Sequence, residues 1–450
     1  MNGLARLTDR FAGEIILPDD PGYDAARAVW NGSIDRRPAL VVRPTGTEDV
    51  VSALRFAREQ DLVVAVRCGG HSIPGLSTCD DGIVIDLSRI RGAHVDPERR
   101  TARVGGGSLL AELDDAAQAY GLVCPVGVVS HTGVAGLTLG GGMGRLQRKL
   151  GLTIDSLVAV EVVTADGRLV RASEDEHADL FWGMRGAGPN FGIVTAFEFR
   201  LHPFDGRVVH GSVSLPIERA EELAGHFHEL VENGPDDLWV SFALTVRPDV
   251  PGGAVATVSV MHCGSEADAN RDLAALRAVD GSLDGRIEPK QYLSMQRVMD
   301  EPMAWGQRFS YKSAFLSSLP DDLVRSWAEH TPRLPEGADG GFSIWAWGRA
   351  IAAVREEDTA FTGRAASFWA GTEAFWRDPE LDDACRSWAR TGNALAERHA
   401  LVGRYVNDVV EVGEDVVRSV YGDVKYERLV ALKREWDPDN VFRLNQNIRP

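Results

Sequence analysis

Cysteine is scarce in this chain of 450 residues, and the five present (Cys68, Cys79, Cys124, Cys263, Cys385) are too few and too scattered to staple a protein of this size. The odd number leaves at least one thiol free, and a reducing, cytoplasmic setting is expected. Long apolar runs are also missing: none approaches the roughly 18 to 20 residues that a membrane-spanning helix requires. The opening MNGLARLTDRFAGEI lacks the basic start and apolar core of a secretory signal. Basic charge is in deficit, with 48 Lys and Arg against 66 Asp and Glu, a formal balance of −18. A field of that sign repels phosphate backbones and anionic lipid surfaces, so neither nucleic acid nor a membrane is an expected partner. Repeats and blocks of like charge are absent too. What is present, 44% hydrophobic and 25% charged residues, is the composition of an ordinary globular protein. The length predicts two or three structural units at roughly 100 to 200 residues each.

Several ligand motifs fail on their spacing. No G-x-x-x-x-G-K-[ST] occurs, which removes a P-loop. ARVGGGS followed by LLAELDDAAQAY has the strand, loop, helix order of a Rossmann site, but the third glycine of G-x-G-x-x-G is missing and no acidic residue ends a second strand about 20 residues on. Cys68 and His71 have metal-like spacing without the second pair that a tetrahedral site needs, so no metal is expected.

Glycine is in excess: 47 residues, of which 16 lie within 69–144, where an ordinary protein has about 7%. They alternate with strand-like runs at 62–66, 82–87 and 101–104. The segment therefore reads as folded, its glycines marking turns of positive φ or close approach of backbone to a ligand. Residues 1 to 205 alternate short β-rich runs with helices over 47–60 and 109–120, and VAVEVVTADGRLVRA predicts a hairpin turning at Asp166-Gly167. After His202-Pro203 the texture changes. GSVSLP, LWVSFALTV and GAVATVSVMHC predict antiparallel strands, with helices over 218–232 and 321–330 between them. Nine of the 11 tryptophans lie beyond residue 230, which predicts a separate domain with an aromatic-lined face. The final stretch, 401–450, ends in a helix over 425–435 and the turn Asp437-Pro438-Asp439-Asn440.

The glycine motifs form a constellation. Arg67-Cys68-Gly69-Gly70-His71-Ser72 follows a strand directly; then come Gly75, GIVIDLSRI, Val104-Gly105-Gly106-Gly107 and the long loop 127–144, GVVSHTGVAGLTLGGGMG. Further on stand DLFWGMRGAGPNFGIVTAFEFRL, GRYVN, Tyr421-Gly422 and DPDNVFRLNQNI. Through these blocks, over nearly its whole length, the chain resembles the FAD-linked oxidases of the vanillyl-alcohol-oxidase superfamily, and within it the bacterial berberine-bridge-enzyme-like group. The resemblance implies an α+β fold with a two-lobed FAD-binding domain of the PCMH type at 1–205. An inserted substrate domain with an antiparallel sheet follows at 206–400, and a C-terminal segment, 401–450, returns to the FAD-binding domain.

It also implies roles for residues. A pyrophosphate calls for several converging backbone N–H donors, and successive glycines offer such a turn without Cβ atoms in the way. Gly69, Gly70, His71 and Ser72 would supply it, with Arg67, Gly75 and Gly107 beside them. In the family the histidine at the position of His71 is bonded to the 8α carbon of FAD, which retains the cofactor and makes it a stronger oxidant. Ser130, Thr132, Gly133, Gly136, Gly140, Gly141 and Gly142 belong to a loop running past the flavin, with Thr132, Val134 and Ala135 nearest its oxygen-facing side. Gly192, Ile193 and Val194 match the strand and turn that contact the adenosine part; Asn190 in the same block reads equally as a turn residue. Asn445 and Asn447 complete the cofactor set. Some members carry a second flavin bond to a cysteine. Registering on Gly140-Gly141-Gly142 places that cysteine at Val129, so a single bond at His71 is expected, and Cys124 reads as a buried small hydrophobe.

Tyr405 in GRYVN stands where, in members of the group, a tyrosine deprotonates the substrate hydroxyl while hydride passes to flavin N5. Lowering a tyrosine from ~10 to ~8 takes about 2.7 kcal/mol of preferential stabilisation of the phenolate, for which Asn407 and Tyr421 are the candidate donors. A structural place in the core is the alternative. Tyr311, Trp345 and Trp347 lie in runs that the family uses as strands over the flavin. Alternation puts Trp345 and Trp347 on one face, where they either floor an aromatic or sugar pocket or pack against helices. Two stretches depart from the family pattern, Gly348-Arg349 and Phe361-Thr362-Gly363-Arg364, and either reshapes the pocket if it reaches it. The reaction implied is oxidation of an alcohol or related C–H centre of a small secondary-metabolite or sugar-like molecule, with molecular oxygen as acceptor. A flavin dehydrogenase using another acceptor, or a non-catalytic binding protein, are the alternatives.

Overall fold

The computed structural model describes residues 2–283 and 285–450. Strands Leu40–Arg43, Ile83–Asp86 and Val64–Arg67 run parallel with Ile83–Asp86 between the other two, and Glu14–Ile16 adds an antiparallel edge. Their Val- and Ile-rich runs suit strands covered on both faces, and Ile83, Val84 and Ile85 are fully buried. Helix Thr47–Glu59, expected over 47–60, lays Val50, Ala53, Leu54 and Ala57 on this sheet as an i, i+3, i+4, i+7 stripe.

A second, five-stranded antiparallel sheet takes the order Ala93–Asp96, Thr101–Gly105, Ile193–Arg200, Leu157–Val163, Leu169–Ser173. Its last pair is the expected hairpin at Asp166-Gly167. At His202–Pro203 the chain leaves this sheet, pairing with Leu122–Val123. All strands of the third sheet lie between Arg207 and Trp376, seven of them, antiparallel throughout. Helices Ala220–Asn233, Asp321–His330 and Asp382–Glu397 cover one face of that sheet, where Val240, Phe242 and Leu244 point. The alternate residues of the same strand, Trp239 and Ser241, point the other way, onto a cavity.

The C-terminal helix is longer than the sequence suggests, Glu414–Trp436 in place of 425–435. At Gly422 the helix breaks locally, with φ 72°, ψ 156°, and it resumes because Val417, Val420, Tyr421, Tyr426 and Leu429 share one core with the five-stranded sheet. Beyond it the tail is tied by Lys433, fully buried, whose Nζ donates to Asp437 (2.6 Å), Asn190 O (2.8 Å) and Phe442 O (2.9 Å). Asp437 in turn accepts from the amides of Val441 and Phe442. Removing one partner of such a pair strands a buried charge, so Lys433→Met should cost about 3 to 5 kcal/mol, read as a lowered denaturant midpoint.

Candidate active site

A cavity of about 650 Å³ lies between the four-stranded sheet, the loop 127–144, the C-terminal tail and the open face of the seven-stranded sheet. At its floor, strand Val64–Arg67 runs into the turn 68–72. A Cβ built on Gly69 would fall 2.3 Å from the amide nitrogen of Gly133, and one on Gly133 would fall 2.5 Å from Cys68 Sγ. Two loops are thus in backbone contact, which only glycine at both places permits. The amides of Gly70, His71 and Ser72 donate to no protein acceptor among the described residues. Gly69, Gly70, His71, Ser72, Thr132, Gly133, Gly136 and Gly140 line this region, and Gly192, Ile193, Val194 and Asn445 line it from the far side.

Other residues expected at the cofactor stand behind the wall. Arg67 donates to Asp86 (2.6 Å) and Ala28 O (3.1 Å), pinning the turn from below. Burial works to raise the Asp86 carboxyl, but Arg67 and Arg43 outweigh it and hold it below the usual range. Gly107 makes room for a backbone crossing, since a Cβ there would sit 1.7 Å from Leu87 O, and Gly75 turns at φ 74° against the Ile34 side chain. Ser130 binds Asp300 through its amide (2.8 Å) and hydroxyl (2.6 Å), which fastens the loop to the substrate-side segment. Gly141, Gly142 and Asn447 do not reach the cavity. Thr132 and Ala135 line it, whereas Val134 is fully buried behind them. Cys124 is 0% exposed and absent from the wall; Val129 lines it.

His71 is stacked on Trp30, ring centroids 4.9 Å apart, and its Nε2 lies 2.7 Å from His131 Nδ1. Burial, with His131 beside it, pushes the His71 imidazole down to about 3, so the ring is neutral. Its Nδ1 has no hydrogen-bond partner among the described residues.

Tyr405 brings together motifs more than 260 residues apart. Its hydroxyl accepts from Gly142 N (3.1 Å) and from Asn407 Nδ2 (3.1 Å), and Asn407 also donates to Leu137 O (3.3 Å). The Gly140-Gly141 pair is shaped around them: a Cβ on Gly140 would lie 2.2 Å from Asn407 Oδ1, and one on Gly141, at φ 131°, 3.1 Å from the Tyr405 ring. Tyr421 lines the same cavity but is not a donor to Tyr405, because its hydroxyl donates to Gly186 O at 3.2 Å. Nor do the protein groups lower the Tyr405 hydroxyl. Burial first, then the charge of Asp408, holds it well above a tyrosine's ordinary value, and the bonds from Asn407 and Gly142 offset only part of this.

Over the cavity runs an arc of rings: Trp30, Phe309, Tyr311, Trp369, Trp345 and Trp239, each 5.1 to 5.9 Å from the next. Tyr311 and Trp345 belong to it. Trp347 does not; it packs on Phe315 and donates to Gly363 O (3.0 Å), since the strand ends at Ala346 and the alternation stops there. Of the two departures, Gly348-Arg349 lies outside the cavity, with Arg349 bonded to Glu232 O and Gly234 O. Phe361 meets the edge of Tyr405 at 6.1 Å, and Arg364 is locked to Asp155. Sequence reasoning missed Trp30, Trp369, Glu373, Asp408, Trp239 and Arg145, all on the wall. Alternation in FWAGTEAFW and LWVSFALTV carries the signal for Trp369, Glu373 and Trp239 once one cavity-facing residue of each strand is known; Trp30 and Arg145 carry none. Burial lifts the carboxyls of Glu373 and Asp408 to about 7 each.

Sequence comparison matches residues 38–173 to a family described as FAD binding domain and residues 404–449 to one described as berberine and berberine like. The chain is 32% identical to (R)-6-hydroxynicotine oxidase of Paenarthrobacter nicotinovorans, over 97% of each, and 28% identical to an FAD-linked oxidoreductase of Dictyostelium discoideum, over 94% and 91%. The crystal structure of 6-hydroxy-D-nicotine oxidase from Arthrobacter nicotinovorans superposes with a TM-score of 0.91 over 98% of both chains at 30% identity. Glucooligosaccharide oxidase from Acremonium strictum, whose flavin is described as 6-S-cysteinyl, 8α-N1-histidyl FAD, shares the fold at a TM-score of 0.89 and 21% identity, over 100% and 99%. With full-length identity to one such enzyme and the two-lobed α+β fold of the PCMH type, this chain belongs to the berberine-bridge-enzyme-like FAD-linked oxidoreductases and is an FAD-dependent enzyme.

Proposed function

We propose that the protein is an oxidase that takes a hydride from an alcohol or related C–H centre of a small secondary-metabolite or sugar-like substrate, with Tyr405 as the base at the substrate hydroxyl. The observation that carries this is the placement of Tyr405: it lines the same cavity as the glycine turn that starts at Gly69, with its hydroxyl between two fixed hydrogen-bond donors. FAD fits that turn, because three amide donors without acceptors face a wall from which Cβ atoms are excluded. When bound, FAD would supply the two-electron acceptor, with molecular oxygen as the final oxidant. His71 would be its covalent anchor, Gly70 and Ser72 would hold its phosphates, and Val194 and Asn445 would bound its other end. The open sheet face of 206–400 is the substrate domain, and 401–450 returns to bring Tyr405 and Asn407 to the cofactor side.

Tyr405 and Asn407 orient the substrate hydroxyl, and the two donors on Tyr405 favour the phenolate whenever a proton arrives or leaves there. The aromatic arc excludes water and holds the substrate body flat. A substrate screen that follows flavin bleaching without oxygen tests the reading, and admitting oxygen afterwards separates an oxidase from a dehydrogenase. A protein that carries flavin yet is bleached by no substrate in a broad alcohol and amine set would sink it. The flavin bond is expected to be single. Cys124→Ala should therefore leave one flavin-bearing peptide and most of the activity, as read by peptide mass; loss of a crosslink would restore the second bond to Cys124.

A further inference from the structure

Arg145 is a guanidinium on the cavity wall, 6% exposed, and among the described residues no carboxylate comes within 4.0 Å of it. Arg67 and Arg364, as deeply buried, are paired with Asp86 and Asp155. Arg148 also lacks a carboxylate but does not reach the cavity, so Arg145 is the cation that a bound molecule meets. One of its nitrogens donates to Met295 O (2.9 Å), the group lies 5.7 Å over the Trp239 ring, and its buried Nε has no partner among the described residues. A buried cation left in that state is costly, and the cost is recovered when an anion completes it.

The surroundings suit an anion. Ser241 and Ser259 face each other across neighbouring strands on the same wall, their hydroxyls bonded to no protein group among the described residues. His210, also on the wall, is held neutral by burial and by Arg145 itself, its imidazole down to about 4, so it adds a hydrogen-bonding group without competing charge. The opposite end of the cavity has the reverse character, with Glu373 and Asp408 near Tyr311 and Tyr405. Between the ends run Trp345 and Trp369.

We infer that the substrate carries a carboxylate, or a comparable planar anion, at the end remote from its oxidised carbon, and that Arg145 with Ser241, Ser259 and His210 is the subsite for it. The inference rests on the oxidase reading and deepens it: the anion is drawn to Arg145 and repelled from Glu373 and Asp408, which leaves the reacting carbon at Tyr405. Charge on the wall thereby sets the direction in which an otherwise flat, aromatic-held molecule enters.

The holoenzyme is titrated with three probes of one shape, 3-phenylpropionate, 3-phenylpropanamide and 3-phenylpropylammonium, following the flavin absorbance and checking by calorimetry. The acid should bind about tenfold or more tightly than the amide, with the ammonium weakest. Arg145→Met should bring acid and amide to within about twofold, and Arg145→Lys, which keeps the charge but not the planar fork stacked on Trp239, should retain only part of the preference. Equal binding of acid and amide to the wild type overturns the inference without any variant, as does a preference that survives Arg145→Met. Loss of flavin from Arg145→Met, with the acid preference retained in what flavin-loaded protein remains, would assign the residue to the cofactor and also overturn it. Rapid oxidation of neutral alcohols with no preference for acids would defeat this inference alone, whereas a purified protein that holds no flavin would defeat the oxidase reading beneath it.

Discussion

Tyr405→Phe should slow flavin reduction by substrate 10²- to 10⁴-fold, the usual contribution of a positioned base, or about 3 to 5 kcal/mol in the barrier. The change removes one oxygen and keeps the ring against Phe361. It also leaves the amides of Gly142 and Asn407 without their shared acceptor, so a loss of about 1 to 3 kcal/mol in stability is expected whatever the catalytic role. Stability therefore does not discriminate between base and core, and kinetics must. The pH profile sharpens the test. A base acts only when deprotonated, and burial holds this hydroxyl above a tyrosine's ordinary value, so the rate should still be climbing as pH approaches about 10. Glu373 and Asp408 titrate near 7, and ionised Asp408 pushes Tyr405 further up. Any limb near pH 7 that survives in Tyr405→Phe belongs to those carboxyls, while the alkaline climb should vanish. Slowing of less than about tenfold in rapid-mixing reduction would remove Tyr405 from the role and leave Tyr311 as the remaining cavity-facing tyrosine with no bond to a main-chain acceptor.

Motifs were readable where chemistry forces a local pattern. The glycines at 69, 70, 133 and 140–142 are needed one by one, because a Cβ at 69, 133, 140 or 141 would meet backbone or a site side chain, and at Gly70 and Gly142 a φ of 70° and 85° makes the same demand. The parallel strands and the helix Thr47–Glu59 were legible because burial on both faces, or on one stripe, leaves a period in the sequence. What the sequence hid is set by pairing between distant strands. Glu373 faces the cavity because Phe368–Trp376 lies beside Arg308–Leu316 in a register that puts it opposite Tyr311, and no spacing within either strand reveals that register. Trp347 illustrates the converse: it follows Trp345 by the right interval, but the strand ends between them. Arg145 follows the GGGMG turn, in sequence one more basic residue among many; what sets it apart is burial without a carboxylate together with a place on the cavity wall. The second donor to Tyr405 was hidden for another reason. It is a main-chain amide, Gly142 N, and sequence reading looks for side chains.

Denatured wild-type protein should keep its flavin, and His71→Ala should release it. Acid precipitation would then give a yellow pellet from the first and a colourless pellet with a yellow supernatant from the second. The expectation has its physical basis in the imidazole. Burial and His131 push the His71 imidazole down to about 3, so near neutral pH a ring nitrogen retains its lone pair. Nε2 is engaged by His131 at 2.7 Å while Nδ1 is unengaged, and the stack on Trp30 fixes the plane of the ring. The cysteine on the wall among the described residues, Cys68, has its thiol pushed up to about 12 by burial and donates to Ser108 O at 3.2 Å, while Cys124 is sealed in the core and Val129, on the wall, has no thiol. Proteolysis of the wild type should accordingly yield one flavin-bearing peptide, and that peptide should contain His71. His71→Ala also empties the space beside Trp30, so its folding must be checked by a thermal melt, and His71→Asn, which keeps a polar side chain of similar reach, serves as the second variant. Both should remain folded and bind flavin reversibly, losing it on denaturation. A wild-type pellet without colour would show that FAD is held by the glycine turn alone, and a yellow pellet from both variants would move the bond to another residue.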